Sequence, residues 1–186
     1  MFRACFVIFT VLTALTGVLY PLALTMVAKV AFPAQAEGSL IRDDKGVVGS
    51  RLIAQPASAP GLFWPRPSAA AWNASASGGA NLAPVAPQQR AAWAAAAAPW
   101  RTAGISGELP ADLVTASASG LDPHLSPAAV LVQVPRVAAA HGVSEDRLRT
   151  LVAAHTETPL LGLFGMARVN VLELNRAVLT MGSGGH

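Results

Sequence analysis

The chain has 186 residues, 53% hydrophobic and only 12% charged, so it is richer in apolar side chains than an ordinary soluble domain requires. Its pI near 9.8 does not describe a nucleic-acid surface: beyond Lys29, eleven Lys and Arg face ten Asp and Glu, with no run of like charge. Cys5 is the single cysteine, which excludes an intrachain disulfide and a cysteine-based metal site.

From Ala4 to Ala28, twenty-five residues pass without a charge, bracketed by Arg3 and Lys29. As a helix that run reaches roughly 37 Å, enough to cross a bilayer with some tilt. It reads as a transmembrane anchor over residues 1–29. Gly17 and Pro21 interrupt it, and Thr13, Thr16 and Tyr20 place hydroxyls beside the interruption; these five positions are the expected packing face within the membrane. The alternative reading is a cleaved signal peptide ending at "AQA", Ala34 to Ala36, although the apolar run is longer than a signal core. Either way the remainder, 30–186, is expected outside the cytoplasm. An N-in, C-out orientation is permitted by the weak basic flank of Lys29, Arg42 and Lys45.

"GSLIRDDKGVVGSRLIAQ", Gly38 to Gln55, predicts a β-hairpin turning at Asp43-Asp44-Lys45-Gly46. A Pro-, Gly- and Ala-rich excursion follows at about 59–100, pinned by Phe63, Trp64 and Trp72, and its alanine-rich end predicts a helix stopped by Pro99. "ADLVTAS" reads as a short strand. Ser126 with Pro127 predicts the start of a helix that Pro135 kinks and Gly142 ends; Ser144 caps the next, and Asn170 a last one before a glycine-rich tail. The fold class is therefore α+β: one N-terminal transmembrane helix and one mixed extracytoplasmic domain. The echo between "ASASGGANL" and "ASASGLDPHL" is what chance gives in an Ala- and Ser-rich chain, and predicts no repeat.

"SASGLDPHLSP", Ser117 to Pro127, gathers serines, an aspartate and a histidine. It lacks the first glycine of a nucleophile elbow, and Asp122 and His124 straddle Pro123 too closely to form a triad readily with Ser117 or Ser119. Two readings stay open: an exported serine hydrolase using Ser117 or Ser119 with His124, or a structural turn in which Ser117, Ser119, Gly120, Asp122, Pro123 and His124 lead into the Ser126 cap. His124, His141, His155 and His186 form no helical i, i+4 pair, and no metal site is expected. Gln133 and Arg136 are either a binding pair or a helix-packing pair.

In order along nearly the whole chain, "TGVLYPLALT", "FPAQAEGSLI", "GSRLIAQ", "FWPRPSA", "SGGANLAP", "DLVTASASGLDPHLSPAA", "QVPRVA" and "RVNVLELN" resemble the C subunit of the Kdp potassium-transporting ATPase. The chain departs from that family's SGGSNLGP pattern at Ala80 and Ala83. The resemblance implies a non-catalytic subunit of a high-affinity, ATP-driven potassium importer of the bacterial inner membrane. Its implied partners are a channel-like potassium-binding subunit, an ATP-hydrolysing P-type subunit, a small single-helix subunit and the bilayer. It implies no tightly bound cofactor, but a role as a catalytic chaperone that raises the pump's affinity for ATP. Gln133, with Pro135 and Arg136 beside it, is the nucleotide contact so implied. If the carboxyl-terminal domain lies outside, Gln133 and the nucleotide are on opposite sides of the membrane, and coupling through conformation replaces direct contact.

Overall fold

A computed structural model describes residues 2–44, 46–159 and 161–182, which fall into two compact units divided between Ser50 and Arg51. Lys45, the expected hairpin-turn residue, and the glycine-rich tail from Ser183 to His186 lie outside the described residues.

The first unit begins with one continuous helix, Phe2–Ala31, long and apolar enough to cross a membrane. It is not regular throughout: α1 (Phe2–Ala14) and α2 (Tyr20–Ala31) are joined by a wider π-helical turn, Leu15–Leu19. Pro21 sits in the first turn of α2, directly after the wider turn, and supplies no backbone N–H to the continuous helix. A short helix α3 (Pro33–Ala36) then leads to strands β1 (Leu40–Asp43) and β2 (Gly46–Ser50), paired antiparallel. The hairpin forms at the expected place, although residues 51–55 do not extend it.

The second unit is mixed α and β. Its sheet has three very short strands in the order β3 (His124–Leu125), β5 (Arg168–Asn170), β4 (Thr156–Glu157), all antiparallel. Around them pack α4 (Pro87–Thr102), α5 (Ala111–Val114), α6 (Pro127–Leu131), α7 (Val134–His141), α8 (Glu145–Ala154) and α9 (Val171–Gly182). Helices α6 to α9 bring Val130, Val134, Val137, Leu148, Val152, Leu174 and Val178 to one core, α4 adds Trp100 alone, and Leu113, Leu125, Val169 and, from the irregular excursion, Phe63 join them.

Helix ends follow local chemistry. The hydroxyls of Ser126 and Ser144 accept from Ala129 N–H and Arg147 N–H, and the Asn170 carboxamide accepts from Glu173 N–H. Gly142 ends α7 at φ 63°, a conformation that favours glycine.

Three expectations need correction. "ADLVTAS" is not a strand: Ala111–Val114 is a helical turn, started after Pro110 and held where Trp100 Nε1 donates to the Leu113 carbonyl. Pro99 does not stop α4, which continues to Thr102; burial of Trp100 makes the continued turn worth one lost amide bond. Pro135 does not kink a single helix. The chain breaks at Val132 and Gln133 into α6 and α7, and Pro135 lies in the first turn of α7.

Because Phe63 is fully buried yet lies in irregular chain, Phe63→Ala should destabilise the second unit by about 3–5 kcal/mol. Denaturant unfolding of the detergent-solubilised full chain, followed by Trp fluorescence, checks this; a loss below about 1 kcal/mol would remove the excursion from the core.

Candidate functional site

Residues 59–64 belong to no strand: 59–62 close a turn, Leu62 N–H donating to the Ala59 carbonyl, and the backbone groups of Phe63 and Trp64 that follow are met by side chains instead. Phe63 N–H donates to Asn175 Oδ1 at 2.7 Å while Asn175 Nδ2 donates to the Phe63 carbonyl at 2.9 Å. Trp64 N–H donates to Gln133 Oε1 at 2.8 Å, and Gln133 Nε2 returns a bond to the Trp64 carbonyl at 3.2 Å. Two carboxamides thus act as the missing strand partner.

Gln133 is fully buried. Its Nε2 also donates to the Ala129 carbonyl, and its Oε1 also accepts from Arg136 Nη2 at 3.0 Å. A primary amide has two donors and two acceptor positions; in Gln133 all four are taken. Gln133 and Arg136 are therefore joined to each other and to the strap they hold.

Arg136 completes the clamp. It donates to the carbonyls of Pro60 and Leu62, and its guanidinium lies 4.2 Å from the Trp64 ring centroid. Trp64 in turn meets Trp100 at 4.8 Å. Burial pushes the Arg136 guanidinium down to about 10, so it remains a cation at neutral pH. His141 Nε2 lies 2.8 Å from the Gly61 carbonyl. Pro135 is exposed beside this cluster. Trp64, Ala95, Ala98, Pro99, Thr102 and Arg136 line an open, largely apolar cleft of about 680 Å³.

The loop from Ser117 to Ser126 is a second anchorage for the same excursion. Ser117 N–H donates to the Pro67 carbonyl, Ser68 Oγ to the Gly120 carbonyl, Gly78 N–H to the Ser119 carbonyl and Ala54 N–H to the Leu121 carbonyl. Gly120 has φ 69°, and a Cβ there would meet the Gly78 carbonyl at 2.7 Å, so close backbone approach requires glycine. The two echoing segments of the sequence thus touch each other, through backbone rather than as repeats.

Neither serine is placed as a nucleophile. Ser117 is buried, its hydroxyl facing Asp122 N–H at 3.5 Å, and Ser119 Oγ accepts from Leu121 N–H. Among the described residues no hydrogen bond joins either one to His124. His124 instead lies against Asp122, Nδ1 to Oδ1 at 3.4 Å, with Arg66 Nη1 at 3.0 Å from Asp122 Oδ2. Pro123 carries the chain between them, and its carbonyl accepts from Val171 N–H. Burial alone would raise the Asp122 carboxyl, but bonds from the His124 side chain and backbone, together with the Arg66 cation, hold it below its ordinary value.

A surface the sequence reading missed lies between β4 and β5. The Glu157 and Arg168 ion pair, 2.8 Å, closes the base of this loop, while Leu161, Leu163, Phe164 and Met166 stand exposed at its tip. The uncharged run from Thr158 to Ala167 was the available signal. In the first unit, Thr13, Thr16, Gly17, Tyr20 and Pro21 lie on the apolar helix with no buried side chain.

The family model for KdpC, described as the c chain of the K+-transporting ATPase, matches residues 2–180. The potassium-transporting ATPase KdpC subunit of Polaromonas naphthalenivorans is 54% identical, covering 95% of this chain and 92% of that one. Those of Geobacter sulfurreducens and Sorangium cellulosum are each 51% identical, covering 92% and 95% of this chain and 93% and 95% of theirs.

Gln133→Ala should destabilise the second unit by about 1–3 kcal/mol for each of the Trp64 backbone groups left unmet, read by denaturant unfolding. A shift under about 0.5 kcal/mol would deny it the clamp role. The depressed Asp122 carboxyl stabilises the fold above the ordinary carboxylate range, and that contribution is lost as pH falls through its folded pKa. The stability difference between the native chain and Asp122→Asn should accordingly be full above about pH 5 and close below the ordinary value of about 3.9. Paired melting curves across pH check the sign.

Proposed function

The chain belongs to the KdpC family, the c chains of the K+-transporting ATPase, and from that premise we propose how it serves potassium import as an accessory, non-catalytic subunit. Phe2–Ala31 spans the bacterial inner membrane once, with the amino terminus cytoplasmic and the second unit outside. Thr13, Thr16, Gly17, Tyr20 and Pro21 dock the helix against the channel-like potassium-binding subunit, in a complex with the ATP-hydrolysing P-type subunit and the small single-helix subunit. There the chain supports assembly and raises the pump's affinity for ATP.

The observation that carries the mechanism is the saturation of Gln133. All four of its hydrogen-bonding positions are spent on Trp64, Ala129 and Arg136, so in this conformation its amide has nothing to offer a nucleotide. Coupling through conformation needs no such contact. A subunit that binds one state of the pump better than another shifts that equilibrium, and ATP affinity changes by the same coupling factor. ATP then stays on the pump subunit. The rigid strap and the exposed tip at Leu161, Leu163, Phe164 and Met166 give the outer unit a fixed surface with which to distinguish those states. The hydrolase reading draws no support, because neither Ser117 nor Ser119 is bonded to His124.

A reporter fused after His186 should be active on the outer face, and a cytoplasmic signal would revive direct nucleotide contact. In the purified complex, replacing Leu163 and Phe164 by Asp should leave the chain's melting temperature unchanged while lowering the complex's apparent ATP affinity. If deletion of residues 30–186 changed neither assembly, potassium affinity nor ATP affinity, the accessory role assigned to the outer unit would fail.

A further inference from the structure

The apolar helix breaks its own hydrogen-bond ladder at its middle. Phe2–Ala31 is 30 residues long, so its midpoint falls between Thr16 and Gly17, inside the π-helical turn Leu15–Leu19. There Tyr20 N–H reaches back five residues to the Leu15 carbonyl. The next residue is Pro21, which has no N–H. Whether the chain at that point keeps the i−4 or the i−5 register, a carbonyl of Thr16 or Gly17 is left without an amide of its own.

The helix's threonines do not repair the deficit. The hydroxyls of Thr10, Thr16 and Thr25 are spent on the carbonyls of Phe6, Leu12 and Pro21, and Thr13 lies a turn before the gap, where a helical hydroxyl reaches carbonyls three or four positions earlier rather than those of Thr16 or Gly17. Hydrocarbon offers no donor, and an unmet carbonyl at bilayer depth is costly. The helix has no buried residue that could screen it. The approach is open, because a Cβ placed on Gly17 would meet only Thr13 Cγ2, at 4.0 Å.

We propose that the turn at Thr16 and Gly17 accepts a hydrogen bond from a hydroxyl or carboxamide side chain on a transmembrane helix of another subunit of the complex. This rests on the reading that Phe2–Ala31 spans the bilayer and docks a partner, and it names the chemistry of that docking. Pro21 is then a positioning residue: it withholds the amide that would otherwise occupy the acceptor. The bond is satisfied at the point of greatest desolvation, and it fixes the depth and rotation of a helix whose surface is otherwise largely apolar.

The test uses the full chain co-expressed with the tagged complex, with retention of the chain measured during detergent washing. Pro21→Leu restores an amide and should lower retention by about threefold or more, a factor of ten being about 1.4 kcal/mol. Gly17→Leu, which fills the approach, should do at least the same. Thr25→Val, which removes a hydroxyl bonded within the helix, should leave retention unchanged. Native-like retention of both Pro21→Leu and Gly17→Leu would overturn the inference. A chain carrying a plain Leu and Ala helix separates the two readings: if it assembles normally, helix docking itself fails, whereas if it alone is lost, only the hydrogen bond fails. Self-association of the purified chain in micelles that Pro21→Leu abolishes would make the occupant a second copy, and would likewise overturn the assignment.

Discussion

The second unit depends on one constraint: a strap of irregular chain with no strand beside it must still satisfy its backbone. Phe63 and Trp64 cannot leave four polar groups unmet next to a core, since each would cost on the order of 1–3 kcal/mol. The solution is two carboxamides, Gln133 and Asn175, each giving and receiving one bond from the same residue. Once they are fixed, the rest follows. Phe63 drops into the core, Trp64 is presented to Trp100 and Arg136, and the chain beyond it reaches the loop at Ser117 to Asp122, where the pattern of backbone acceptors is repeated. Arg66 extends the same logic, since it leaves the strap to pair with Asp122.

The features legible in the sequence are those whose causes are local. Ser126, Ser144 and Asn170 cap helices through bonds to residues three positions on, and Gly142 ends one by its own backbone freedom, so the letters alone suffice. The errors have non-local causes. Propensity makes Pro99 a stop, but the buried Trp100 and its bond to Leu113, thirteen residues away, outweigh a single lost amide. "ADLVTAS" carries strand-forming residues, and packing makes its first half a helical turn. Pro135 suggests a kink within one helix, but the break falls at Val132 and Gln133 and Pro135 lies in the first turn of the next helix. The clamp itself was invisible: Gln133 and Trp64 are 69 positions apart, and nothing in "QVPRVA" states that its glutamine reads a backbone. The pairing of Gln133 with Arg136 could be posed only as a choice between binding and packing.

The resemblance to a family and the physical reading illuminate different things. Identity near 50% over almost the whole chain places it in a potassium-transporting complex, but does not say how any residue contributes. Geometry speaks to that second question. A glutamine whose amide is exhausted internally is poorly suited to grip a ligand and well suited to transmit strain, because displacing it would release Trp64, Arg136 and Ala129 together. Such networks lose more than the sum of their bonds when one member is removed.

The two units illustrate opposite ways of handling backbone polarity. In the water-facing unit, irregular chain is affordable because side chains from helices far away in sequence can be brought to it, and Gln133 and Asn175 are. A lone apolar helix in hydrocarbon has little such reserve: its internal side-chain donors are hydroxyls, of which Thr10, Thr16 and Thr25 are committed to carbonyls one turn back, and a helical threonine such as Thr13 likewise reaches back rather than forward to the gap. A proline whose missing amide leaves a gap at the centre of that helix is therefore not readily balanced from within the chain. For a protein that folded and worked alone, this would be a cost without return; in one subunit among several, an unmet acceptor is a group that a neighbouring helix can satisfy.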